Sequence, residues 1–228
     1  MRYENVSDEF IKSLKSLGCG FRINSAPICT DPEKTILECL NLYWDANSLF
    51  FMVFSLLKHG NITHLINVNR LIKLAKLQNL ENDKICLLIA MSEELSDAGF
   101  ESFKAVKEKL YSENLVMKNP PESETDEYMI KTWGENKYLN DFGVKVRNFY
   151  LEPEKKFFSK NTILKSNKWL SLRALVGVNY RADIIYLKLS NLCETAYQAH
   201  KKLGCTLNSA YTIWNSLDDI ETVRINER

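Results

Sequence analysis

Apolar residues recur at helical spacing along most of the chain. Phe10, Leu14 and Leu17 line one side of residues 8–17, with Ser7 placed to cap that helix and Gly18-Cys19-Gly20 to stop it. Residues 21–29 lack the period and read as irregular, with room for a short strand. Thr30 or Asp31 opens the next helical region. Pro32 lies in its first turn, where a missing N–H costs nothing, and Ile36, Leu37, Leu40 and Tyr43 or Trp44 follow. Asp45-Ala46-Asn47 breaks the pattern. Residues 48–59 are apolar on nearly every face and end at Gly60, which predicts a helix at the centre of the N-terminal part. Asn67 caps a helix bearing Leu71, Ile72, Leu74 and Leu77. Residues 83–98 gather Ile85, Leu88, Ile89 and Leu95, and residues 100–111 gather Phe103, Val106 and Leu110.

Residues 114–126, with Pro120-Pro121 and the acidic Glu122, Glu124 and Asp126, read as a linker, and a helix over 126–138 follows. The period then changes. Gly143 to Arg147 alternates as a strand with one wet face would, and a second short strand fits Thr162-Ile163-Leu164. Helical spacing returns over 168–176, with Trp169, Leu172 and Val176 as its apolar face. It continues over 180–190 behind an Asn179 cap, where Ile184, Ile185, Leu187 and Leu189 form the buried set. Residues 195–217 read as two short helices around a tight turn. Thr195 caps the first, Gly204 supplies a left-handed residue at its end, and Thr206 caps the second. Ala199, Leu203, Ala210, Ile213, Trp214 and Leu217 face inward. Thr222 to Ile225 is one strand's worth of residues at the end.

The run Ala199-His200-Lys201-Lys202-Leu203-Gly204-Cys205-Thr206, followed by a polar helix, resembles the helix-turn-helix of winged-helix DNA-binding proteins. The resemblance covers about a fifth of the chain, residues 180–225. His200 stands where that family usually has Ala, the second helix has no Lys or Arg, and Asp218-Asp219 follow it. The resemblance implies a three-helix core beginning with residues 180–190 and a short or incomplete β wing.

Composition changes this picture in two ways. The 228 residues, 45% apolar, allow one large or two smaller domains. The net charge of +1 is unevenly spread: from Lys155 onward there are 12 Lys/Arg against 6 Asp/Glu, so the positive third holds the helix-turn-helix. The expected architecture is mainly α, with a helical association domain over 1–140 and a connecting segment with short strands over 141–166. A winged-helix-like domain over 167–228 completes it. The six cysteines form no C-x-x-C pair, and the N-terminus is polar rather than leader-like. A reducing cytoplasm is therefore expected. The most apolar run is about half the twenty residues a bilayer needs, so no membrane partner is expected.

The chemistry to look for follows. On the second helix, Asn208, Ser209, Tyr211, Thr212 and Asn215 are candidate base readers, because such side chains donate and accept at base edges. Lys201, Lys202, Thr206, Arg224 and Arg228 are candidate phosphate contacts. The expected partner is double-stranded DNA. Few cations surround the helix, so a dimer or higher oligomer is expected, paired through the N-terminal helices. The function expected is that of a transcriptional regulator. An adaptor that docks protein on the same helix is the alternative, and an enzyme with a site between the domains is the third. Asp141-Phe142-Gly143 spells a kinase metal-binding triplet but lacks a phosphate loop and a catalytic loop, so no catalytic residue is named. His59 and His64 are five apart around Gly60, which is wrong for one helix face, so neither metal nor cofactor is expected.

Overall fold

The structure, a computed structural model, describes residues 6–21 and 27–218. It divides into two compact units, Met1–Asn167 and Lys168–Arg228. The described residues are mainly helical. They contain no sheet, only isolated bridges between Cys19 and Phe157 and between Glu135 and Arg147.

In the first unit, α1 (Asp8–Leu17) starts where Ser7 Oγ accepts the Phe10 N–H at 3.2 Å. It ends at Gly18, whose φ of 123° excludes most side chains, and a Cβ there would lie 2.5 Å from Ile163. Helix α2 (Pro32–Cys39) is capped by Asp31, and α3 (Leu42–Asp45) leads into α4 (Asn47–Lys58). Leu49 to Leu57 of α4 are all buried, so this helix has no outer face along most of its length. Tyr43, Phe50, Phe51, Phe54 and Phe149 pack around it, mostly edge to face, with centroids 4.9–6.4 Å apart. Fully burying each such ring is worth about 1.5–3 kcal/mol. Helix α5 (Val68–Leu77), capped by Asn67, packs on α2, and α6 (Asn82–Asp97) packs on α4 and on α7 (Lys104–Leu110).

The rest of this unit differs from the sequence pattern. Residues 114–126 are not a boundary: Met117 N–H donates to the Phe142 carbonyl, and α8 (Glu122–Thr125) buries Glu124. The helix expected over 126–138 stops at Gly134 (φ 80°), giving α9 (Glu127–Trp133) and α10 (Lys137–Asn140). The expected strand at 143–147 makes only the single Glu135–Arg147 bridge, because Arg147 turns inward onto Glu124. The expected strand at 162–164 is helical, within α11 (Lys160–Ser166), because Ser159 Oγ caps it by accepting from Thr162 N–H. Residues 141–166, expected to be a connector, thus belong to the first unit.

Buried ion pairs tie distant parts of this unit together. Arg70, fully buried on α5, grips both Asp31 and Glu33 at the start of α2, and Glu33 also accepts the Asn67 N–H at 2.8 Å. Arg147 Nε lies 2.7 Å from the buried carboxylate of Glu124.

The second unit begins with α12 (Lys168–Val176) and α13 (Tyr180–Leu189), followed by α14 (Ala196–Leu203) and α15 (Leu207–Asp218). Helix α13 contacts the other three. Its Tyr186 stacks on Trp169 at 4.6 Å, and its Asp183 receives Trp169 Nε1–H at 2.6 Å. The apolar faces differ in detail from the pattern. On α12, Leu172 is half-buried and Val176 exposed, and Arg173 takes the interior position instead. On α13, Leu189 is 45% exposed. The described part of this unit has no strand; the expected strand at 222–225, with Arg224 and Arg228, lies outside the described residues.

Candidate nucleic-acid interface

The turn between α14 and α15 is built from local chemistry. Thr195 caps α14 by accepting Gln198 N–H at 3.2 Å. Gly204 ends it in the left-handed region (φ 70°, ψ 13°), where its N–H reaches the His200 carbonyl at 2.8 Å. His200 then bridges the turn, its Nδ1–H donating to the Cys205 carbonyl at 2.6 Å. A side chain at the position where the resembling family has Ala therefore braces the turn. Thr206 caps α15: its Oγ1 accepts Ser209 N–H at 3.1 Å and donates to Ser209 Oγ at 2.7 Å.

Packing fixes which face of α15 is free. Ala199, Leu203 and Ala210 are fully buried and Trp214 nearly so, while Ile213 and Leu217 are half-buried. Lys188 of α13 donates to the Trp214 carbonyl at 3.1 Å and lies 4.8 Å over its ring, holding α15 by its C-terminal half. At 3.6 residues per turn, Asn208, Tyr211, Thr212 and Asn215 then share an arc of about 100° opposite Ala210, Ile213, Trp214 and Leu217. All four are exposed.

Of the remaining candidates, Lys201 and Lys202 are exposed at the end of α14, beside the turn. Ser209 is half-buried and engaged by the cap, and the Thr206 hydroxyl serves that same cap. Sequence reading passed over Tyr197. It is 50% exposed on α14, with Lys201 Nζ 5.5 Å from its ring centroid; the i, i+4 spacing is the signal that marks the pair. Residues 195–217 contain no Asp or Glu, in a chain that has 29. Part of the positive charge of the C-terminal third is spent internally, because Arg173 is buried against Asp183.

Other groups in the first unit satisfy one another. An open cleft of about 340 Å³ is lined by Lys58, Glu94, Asp97, Glu135, Lys137 and Tyr138. Lys58 pairs with Glu94, while Lys137 (3.0 Å) and the Tyr138 hydroxyl (2.6 Å) both hold Asp97. His59 Nε2 bonds the Glu152 carbonyl. His64 faces Lys160 Nζ at 2.8 Å, and burial together with that ammonium holds its pKa below the ordinary value. Among the described residues, no three His, Cys, Asp or Glu converge on a metal position, and no helix is long and apolar enough to cross a membrane.

No family model, curated protein or solved structure matches the chain.

Proposed function

We propose that the second unit binds duplex DNA through α14 and α15, and that the chain acts as a sequence-specific transcriptional regulator. One observation carries this reading. Between Leu207 and Leu217, the arc of α15 that faces away from the core is polar and free of carboxylates, and it adjoins Lys201 and Lys202 across a turn held by Gly204, His200 and Thr206. A helix of that kind suits a major groove, and the two lysines suit the phosphates beside it. Duplex affinity comes largely from neutralised phosphates, and two exposed lysines neutralise few. The reading therefore includes a dimer or higher oligomer, with half-sites about 34 Å apart and the first unit providing the association.

The test is a fluorescence-anisotropy titration of the whole chain with a random-sequence duplex pool at rising salt. Binding at low salt that weakens steeply as salt rises is expected. No binding at low salt rejects the proposal.

A second reading has its own observation: Tyr197, Leu207 and Tyr211 are large side chains left 41–50% exposed. Such groups also serve protein docking, in which case α15 would be an adaptor surface.

A further inference from the structure

The outer arc of α15 carries two asparagines, Asn208 and Asn215, with Tyr211 and Thr212 between them. Residues 207–217 contain no Lys, Arg, Asp or Glu. Among the described residues, neither carboxamide is hydrogen-bonded within the chain. Major-groove chemistry makes this combination selective. Guanine presents two acceptors, which the paired donors of Arg or Lys satisfy, and cytosine presents a donor, which a carboxylate accepts. Adenine presents one acceptor and one donor, N7 and N6, and a carboxamide matches both at once. Thymine adds a methyl group that favours apolar contact. Helix α15 thus offers two groups suited to adenine and, in Leu207 and Tyr211, an apolar rim suited to thymine methyls. Between Leu207 and Leu217 it offers no charged group suited to guanine or cytosine.

We infer, resting on the DNA-binding reading above, that α15 specifies A·T pairs, with Asn208 and Asn215 as the adenine readers. Seven residues of helix separate them, about 10 Å along the axis, too far for both to read one base pair. The half-site therefore carries two specified A·T pairs at separate steps.

The experiment is selection of binding sites by the whole chain from a random duplex library. Anisotropy then compares the selected duplex with copies carrying 7-deazaadenine, which keeps N6 and base pairing but lacks N7. We expect two A·T positions per half-site and binding about ten-fold weaker for 7-deazaadenine at either. The exposed Asn208→Ala change should abolish the sensitivity at one of the two, and Asn208→Gln should keep it. Selected sites with G·C pairs beneath α15, or intact affinity for the 7-deaza duplexes, overturn this inference and leave DNA binding standing. Absence of binding to any duplex at low salt removes the DNA reading itself.

Discussion

Arg173 Nε lies 2.7 Å from Asp183 Oδ1, and both side chains are completely buried between α12 and α13. Trp169 Nε1–H reaches the same carboxylate oxygen at 2.6 Å, so one oxygen collects donors from two side chains one turn apart on α12. Removing one partner of a buried pair strands the other charge, at a cost of about 3–5 kcal/mol. Asp183→Ala should therefore lower the stability of the second unit by that amount. Replacing both charges, Arg173→Met with Asp183→Leu, should cost much less. Chemical denaturation followed by Trp fluorescence checks both; equal losses in the single and double variants would show that charge pairing is not what matters.

Gly204 is the hinge of the candidate interface, and its left-handed conformation penalises any Cβ by about 1–2 kcal/mol. Gly204→Ala should lower the melting temperature, and Gly204→Asn should lower it less. Thermal unfolding by circular dichroism gives the order, which is reversed or absent if the turn tolerates a right-handed residue.

Glu94 tests the electrostatics of the first unit. Burial raises its carboxyl pKa above the ordinary 4.5, against the pull of its Lys58 partner. The folded state thus holds this proton more tightly than the unfolded state. As pH rises from 4.5 through the raised folded value, this group makes folding progressively less favourable. Wild-type stability minus that of Glu94→Gln should fall over that window and level off above it. Glu124, also raised by burial beside Arg147, should give the same sign. Urea denaturation from pH 4 to pH 7.5 measures the difference; a rise with pH would contradict the assignment.

Lys201 and Lys202 are proposed to contact phosphates. Each contact contributes about 0.9 to the slope of log affinity against log salt. Lys201→Ala with Lys202→Ala should reduce that slope by about 2 per protomer while leaving sequence preference unchanged. An unchanged slope would remove the lysines from the interface.

The caps at Ser7, Asn67, Asn179, Thr195 and Thr206, and the Gly204 turn, were legible in the sequence. Each is decided within three or four residues by one hydroxyl, carboxamide or missing Cβ. Central α4 was legible because Ser55 is the one polar residue between Leu49 and Leu57. The inward turn of Arg70, Arg147 and Arg173 was not. A count of charges treats every arginine as solvated, and Glu124 stands 23 residues before Arg147. The same blindness turned the alternation at 143–147 into a strand: Val146 and Arg147 are neighbours in sequence and both are buried, which no two-residue period allows. At 162–164 the β-branched Thr162 and Ile163 suggested extension, and the Ser159 cap outweighed them. In the candidate interface, the outward arc of Asn208, Tyr211, Thr212 and Asn215 followed from helical spacing. The pairing of Tyr197 with Lys201 was open to the same spacing argument but was passed over, and the diversion of Ser209 into the cap became visible only with the side chains placed.

The central claim is that the outer arc of α15 meets DNA, and amide NMR on the isotope-labelled whole chain tests it most directly. Titration with a duplex carrying the selected site should shift or broaden resonances concentrated between Lys201 and Asn215. Perturbations confined to residues 6–167, or a spectrum unchanged at saturating duplex, would contradict it.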